Sequence, residues 1–402
     1  MMFVSSTETL INRNNKLRLI SLYAAESAAE EARDRIKAFL SSGLLSLANP
    51  DKVVYITSSP AINPTAGNAT SNVYFDSDYS LSFDTTMVPT ELREVRFAWV
   101  RLVQKTERRA GYDLNGSGNL EATPVFFGYD RFQPNAKPTQ YVNSGPNTTT
   151  HAGTPVYQIT ALARDISGFK QTVRADVSMI PQPLLTAALF SKDPVSVGAN
   201  TVVVQGKDEA VAAAKDLNGL ESNSLITGTL TNVQGSPVAE RANSTSAYNL
   251  DGLIKALKPP RSKEIEKVAP TISKIPGGGY QGSGLNLGQP PLSGDTPQTV
   301  YAGGALTISN SSGQGILVVD GDLSVSGSFA YYGLIVVRGR VELNGSGMPG
   351  IEIHGAIIAG SPLADQTTTL AGNVTILNNS YFVQKQFVAL PYIRLSHQEL
   401  IR

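Results

Sequence analysis

The chain has 402 residues with 33 basic and 33 acidic side chains, so no global field draws it to nucleic acid or an anionic membrane; any such binding has to be local. Cysteine is absent, which excludes a disulfide framework and thiolate metal sites, and no stretch reaches the roughly 18 consecutive apolar residues of a membrane span. Only 16% of residues are charged while Gly numbers 36 and Pro 23, a composition that suits a turn-rich, extracellular, mainly β chain of two or three domains.

The first element is a helix. Leu22, Ala25, Ala29, Ala32, Ile36 and Phe39 recur at spacings of three and four, forming one narrow apolar stripe, while Glu30, Asp34 and Lys37 face away. Small residues dominate the stripe, so whatever packs there comes close. Ser5 and Glu8 have the spacing of a capping box, Glu31 and Arg35 form a favourable pair one turn apart, and Ser41-Ser42-Gly43 with Pro50 supplies the stop. A helix over most of residues 5–40 is predicted, roughly 50 Å long. An ordinary amphipathic helix opening a globular domain fits the same residues.

Residues 51–180 read as an antiparallel β region. Val95, Phe97 and Trp99 alternate with Arg96 and Arg101 in a strand running on through Val103, with one face expected in the core and one in water. The buried face is expected to cover the helix stripe. The runs 156–164 and 171–178, joined through Ile166-Ser167-Gly168, predict a hairpin, and the stretches 60–72 and 134–153 predict loops. Pro181-Gln182-Pro183 marks a boundary. Beyond it, short strands are expected at 195–197 and 201–204, a short helix at 207–215, and linker or exposed loop at 258–263 and 275–279.

An internal repeat starts near residue 299. The segment Gly315–Gly327 aligns with Gly333–Gly345 at a step of 18 residues, and Gly355-Ala356-Ile357-Ile358-Ala359-Gly360 restarts the pattern about 22 residues later. Each unit is two short apolar runs separated by Gly, which turns a corner without a Cβ clash. A meander of antiparallel strands also satisfies the alternation; the near-constant step favours a parallel β-solenoid. In that arrangement Ile335, Val337, Val341 and Leu343 point inward and Arg338, Arg340 and Glu342 outward.

The stretch Val4-Ser5-Ser6-Thr7-Glu8-Thr9, Asn12-Arg13-Asn14 and Tyr23-Ala24-Ala25-Glu26-Ser27-Ala28-Ala29-Glu30-Glu31-Ala32 resembles the amino-terminal segment of the PilX-type minor pilins of type IV pili. The carboxyl-terminal block, with Val318-Val319-Asp320-Gly321-Asp322-Leu323 and the 355–360 run, resembles the β-solenoid module of large pilins of this kind, the ComZ-like competence pilins included. The resemblance implies a pilin-like α+β fold, a long N-terminal helix on an antiparallel sheet, joined to a parallel β-solenoid. The expected divisions are the helix at 1–45, the sheet region at 46–183, an irregular β and loop region at 184–296, and the solenoid with a C-terminal strand at 297–402. It further implies about 20 apolar residues and a basic leader upstream of Met1 in the natural precursor. The implied function is a non-enzymatic structural or tip component of a pilus, acting in pilus assembly, surface contact or natural competence. Its partners would be other major and minor pilins and a pilus-tip adhesin. Its place would be the cell-surface fimbrium, with membrane anchoring at the inner membrane and periplasm before assembly.

The three histidines, His151, His354 and His397, are scattered, and no Ser-His-Asp arrangement or phosphate-binding glycine loop appears. One constellation carries metal logic. Asp113, Asn115 and Ser117 place oxygen side chains at positions one, three and five of a calcium loop, with Gly118 at six, the Asn119 carbonyl at seven and Glu121 at nine. Ca2+ needs several hard oxygens at close range, which this spacing supplies. Position twelve is Pro124 rather than a bidentate Glu, leaving Asp130 or a distant residue to close the shell; a Gly-rich hairpin loop with ordinary turn chemistry is the alternative. Two other functions stay open: a pilus-tip DNA receptor, which needs a basic groove, and a surface polysaccharide-active enzyme, which needs carboxylates clustered in a cleft.

Overall fold

The computed structural model describes residues 2–46, 49–78, 85–89, 97–111, 113, 117–130, 141–142, 151–164, 168–180, 182–198, 200–210, 216–246, 248–291, 294–360 and 366–400. It is mainly β, with 44% strand and 18% helix. The chain divides into two compact units, one of Met1–Gly128, Thr139–Ile180 and Pro391–Arg402, the other of Tyr129–Pro138 and Pro181–Leu390.

In the first unit a helix runs over Met2–Ser41, starting before Ser5, so that residue lies inside the helix rather than at a cap. The Glu31–Arg35 pair forms at 2.5 Å, and the helix stops where Gly43 turns to φ +72° and Leu45 N–H bonds back to the Phe39 carbonyl. Ala25, Ala29, Ala32, Ile36 and Phe39 are buried, as the stripe predicts, while Leu22 is only half-buried and Ala28, outside the predicted stripe, is buried beside them. They pack on a six-stranded sheet in the order Thr85–Pro89, Val53–Thr57, Phe97–Gln104, Tyr157–Arg164, Lys170–Ser178, Ile393–Leu400. The first pair is parallel and the others antiparallel, the predicted 157–164/170–178 hairpin among them.

Strand Phe97–Gln104 departs from its expected pattern, because all eight residues are buried and neither face is wet. A bulge between Phe97 and Trp99 changes the phase, so that Phe97, Val100 and Leu102 face the helix while Ala98, Trp99 and Val103 enter a second cluster on the other face. Val95 and Arg96 lie outside the described residues. Arg101 is not a solvated charge. Its guanidinium donates to Asp76 at 2.5 Å, and the Tyr55 hydroxyl donates to the same carboxylate at 2.9 Å. Charge pairing and hydrogen bonding offset the desolvation cost that would otherwise forbid an arginine here.

The second unit is a stack of parallel β coils. Gly315 pairs with Gly333 and Gly333 with Gly355, reproducing the predicted steps of 18 and 22 residues. Parallel registers exclude the meander. The stack also reaches well upstream of the visible repeat: residues 187–287, expected as an irregular β and loop region, carry strands of the same sheet, and the predicted strands near 195–197 and 201–204 are among them as Val195–Val197 and Val203–Gln205. Its order is not the order of the sequence. Leu317, Ile335 and Ile357 form an inward ladder that continues to Leu189 and then Leu220, so the first coil to enter docks on one of the last. Val195 and Val203 likewise pair with Thr368 and Thr375. Each fully buried Leu or Ile in such a ladder contributes about 1.5–3 kcal/mol.

Other expectations need correcting. Residues 207–210 are not helical, and 211–215 lie outside the described residues. The 275–279 segment is an exposed loop, as one of its two expected readings has it, but not a linker: it is a tight turn in which Gly277 and Gly278 take positive φ and Ile275 pairs with Gly279. The C-terminal strand Ile393–Leu400 does not extend the solenoid; it pairs with Lys170–Ser178 in the first unit's sheet. Its apolar-polar alternation fits either sheet, and only the long-range pairing decides.

The corner glycines Gly315, Gly333 and Gly355 have φ of +130°, +139° and +153°. A Cβ on Gly333 would stand 2.0 Å from the Gly315 carbonyl oxygen, so backbone meets backbone with no room between coils. Gly333→Ala is therefore expected to lower the unfolding free energy of the solenoid by at least about 3 kcal/mol, read by urea denaturation; a loss below about 1 kcal/mol would show that the corner relaxes freely.

Glu221 sits beside the ladder, fully buried, accepting from Ser244 and, at 3.2 Å, from the Asn218 amide. Burial pushes its carboxyl up, but hydrogen bonds from Ser244, Ser246, Thr186 and Asn218 outweigh that and hold it below the ordinary glutamate value. The stabilisation is present above the unfolded-state value and is lost as pH falls through the depressed folded value. Urea midpoints of the wild type should drop with acidification through this window more steeply than those of Glu221→Gln; parallel curves would remove Glu221 from the acid response.

Candidate functional site

Four places carry the chemistry or exposed apolar surface that function requires: the 113–121 loop, the free half of the N-terminal helix, the outer face of the solenoid and the histidines.

The loop follows a short helix, Glu107–Ala110, capped by the Thr106 side chain and ended by Gly111 in the left-handed region. Thr106 bridges to Pro124, which closes the loop into a hairpin-like excursion. Inside it the Asp113 carboxylate accepts from the N–H of Ser117 at 3.3 Å and of Gly118 at 2.6 Å, and Gly118 has φ +82°. These are the turn features the calcium spacing requires at positions one, five and six. The remaining ligands are directed elsewhere. The Ser117 hydroxyl donates to the Asn119 carbonyl at 3.3 Å, the Glu121 carboxylate accepts from Thr123, and the Glu121 carbonyl accepts from Arg108 N–H. Asn115 lies outside the described residues, as does the side chain of Asp130. Among the described residues no three His, Asp or Glu side chains stand close enough to hold a metal ion. The described geometry thus reproduces the Asp113 turn and the Gly118 conformation of the calcium spacing, while Ser117, the Asn119 carbonyl and Glu121 are engaged in local hydrogen bonds.

The N-terminal helix has two different halves. From about Ala24 on it packs against its own sheet, whereas residues 10–20 are exposed apart from half-covered Leu17. Leu10, Ile11, Leu19, Ile20 and Tyr23 are between 43% and 61% exposed and point in different directions around the helix. Arg13, Lys16 and Arg18 lie among them, and no acid occurs between Glu8 and Glu26.

On the solenoid, Ile335, Val337, Val341 and Leu343 face inward and Arg338, Arg340 and Glu342 reach the surface, as expected. The arginines are matched by acids: Arg338 meets Asp320 and Asp251, and Arg340 meets Asp322 and Glu342. Lys258 and Lys267 likewise stand against Asp320 and Glu264. Arg109 donates to the carbonyls of Pro50 and Gln104, a structural task. These cations form no continuous phosphate track.

His354 stacks on Tyr332 at 4.8 Å and shares a 2.9 Å hydrogen bond with Glu209, while His397 lies 3.5 Å from Glu26 on the helix. The side chain of His151 is outside the described set. The His354–Glu209 pair and the Asp76–Arg101–Tyr55 cluster had no sequence signal, because their members come from distant segments. No family model matches the chain, and no curated protein or solved structure is significantly similar to it.

Calorimetry decides whether the loop is a calcium site. Titration with calcium at millimolar concentration is expected to give saturable heat and a rise in melting temperature, both lost in Asp113→Ala. Absence of heat with the intact protein would make the loop a turn only.

Proposed function

We propose that this chain is a large, non-enzymatic minor pilin of the PilX type that acts in type IV pilus assembly and surface contact. The observation that carries this reading is the free half of the N-terminal helix. A helix of 40 residues is about 60 Å long, and its first half exposes large apolar side chains on several sides. Large apolar side chains left in water at several positions gain from burial, so the chain's own sheet covers only part of the helix and neighbouring helices would cover Leu10, Ile11, Leu19, Ile20 and Tyr23, with Arg13, Lys16 and Arg18 open to acidic partners. Major and minor pilins are the fitting partners, since each offers a helix of the same kind. Bundling of such helices would form the fibre interior. The second unit, inserted between two adjacent strands, is bulk that repeated subunits of a thin fibre would not accommodate, which favours the tip beside an adhesin. Anchoring in the inner membrane before assembly, and a final location in the fimbrium, belong to the same reading.

A DNA receptor for natural transformation is the weaker reading, because Arg338 and Arg340 already face carboxylates. The polysaccharide-active enzyme has no cluster of carboxylates in a cleft to support it among the described residues of the solenoid.

Replacing Leu19 and Tyr23 together by Asp tests the assembly reading. Both are exposed, so the melting temperature of the purified chain should move by no more than a degree or two, about what neutral surface substitutions produce. Incorporation into sheared surface fibres, followed by immunoblot in the native cell, should fall at least tenfold. Wild-type incorporation of this variant, or absence of the unaltered protein from the fibre fraction, would overturn the proposal.

A further inference from the structure

The face of the six-stranded sheet turned away from the N-terminal helix carries a pocket of about 220 Å3. Two neighbouring rows of side chains build its floor. In one row, running directly across four strands, Trp99 lies opposite Leu162, Leu162 opposite Thr172, and Thr172 opposite Leu400. In the next row Arg101 lies opposite Thr160 and Thr160 opposite Arg174. The first row is apolar apart from one hydroxyl. The second is polar and charged, and the loop over it brings Asp76 and Asp78 to meet its two guanidiniums.

Each of those charges is matched within the wall. Arg101 donates to Asp76 at 2.5 Å and Arg174 to Asp78 at 2.6 Å, while Asp76 also accepts from Tyr55 at 2.9 Å and from the Asp78 N–H at 3.0 Å. Thr160 Oγ1 accepts from Arg101 at 3.3 Å, which leaves its own O–H to donate elsewhere. Paired charges of this kind have little net field with which to capture a simple ion. They do offer oriented acceptors and donors to a neutral ligand rich in hydroxyls. Asp76, Trp99 and Thr160 are buried at the base, whereas Asp78 and Lys170 are exposed at the rim.

From this geometry we infer that the pocket binds a single sugar ring, its C–H face over Leu400 and the accessible edges of Trp99 and Leu162, and its hydroxyls toward Thr172 and Asp78. The volume equals that of roughly seven liquid waters, the size of one hexose and below the range of drug-sized ligands. An apolar row bordering a hydroxyl and carboxylate row matches the two-sided character of a pyranose. A fatty chain would give the Thr172 hydroxyl and the rim carboxylate of Asp78 nothing to bond in exchange for water, and an extended acyclic polyol would lose more conformational freedom on binding. The inference stands independently of the pilin reading.

Trp99 is the sole tryptophan of the chain, so selectively excited indole emission reports on this pocket alone. The intact protein is titrated with glucose, galactose and N-acetylglucosamine to about 50 mM, with sorbitol as the acyclic control; small ligands of this size bind in the millimolar range. The expected result is a saturable emission change with at least one sugar, none with sorbitol, and loss of that change in Thr172→Tyr, which fills the cavity. Melting curves check that this variant folds. If it does not, Thr172→Val keeps the shape, removes the hydroxyl, and should weaken binding about tenfold. No saturable change with any of the three sugars, an equal response to sorbitol, or undiminished affinity in the folded variant would overturn the inference.

Discussion

The structure depends on one pairing, that of strand Ile393–Leu400 with strand Lys170–Ser178. These strands are neighbours in the antiparallel sheet, yet the whole solenoid is the connection between them. The chain leaves one of these strands and rejoins the sheet at its neighbour, whereas a solenoid stacked in sequence order has its first and last coils at opposite ends. The stack solves this by docking an early coil on a late one: Leu189 continues the ladder after Ile357, and Val195 pairs with Thr368. Chain entry and exit therefore come from neighbouring coils in the middle of the stack.

A second consequence falls on the sheet itself. The helix covers one face and the 58–78 loop covers much of the other, so Phe97–Gln104 is buried throughout and its polar residues must find partners inside. Arg101, Asp76 and Tyr55 do this together, and Lys105 with Asp176 does it again at 2.5 Å. Removing one member of such a group is costly because it strands the other, typically by about 3–5 kcal/mol. The overlying loop is thus tied to the sheet by charge as much as by the Tyr74 and Trp99 contacts.

What was legible in the sequence was local. Periodicity marked the helix stripe, the 157–164 and 170–178 hairpin, and the inward and outward residues of the coils, because each rests on spacings of two to four residues. Glycine recurrence revealed the register of Gly315, Gly333 and Gly355, since steric exclusion repeats at every coil. The remainder was not legible for physical reasons. A bulge of one residue placed Phe97 and Trp99 on opposite faces; the coils at 187–222 carry too few repeated residues to announce themselves; and the Asp176–Ser396 contact spans 220 positions. In the calcium-like loop the spacing indicated the Asp113 turn and the Gly118 conformation, but not the side-chain directions of Ser117 and Glu121, which local hydrogen bonds set.

The equal totals of acid and base acquire a meaning from this arrangement. Many charges are spent in pairs that hold elements together: Arg338 with Asp320 and Asp251 along the coils, Arg101 with Asp76 across the sheet, and Lys385 with Asp295 at the helix Ser380–Ala389. Long-range steering is correspondingly weak. Under the proposed reading, recognition would draw on short-range features, namely exposed apolar side chains and oriented hydrogen-bonding groups. The free half of the N-terminal helix supplies the first, and the distal face of the sheet supplies the second. They lie on different elements, so an assembly contact made through the helix leaves the distal pocket chemically independent of it.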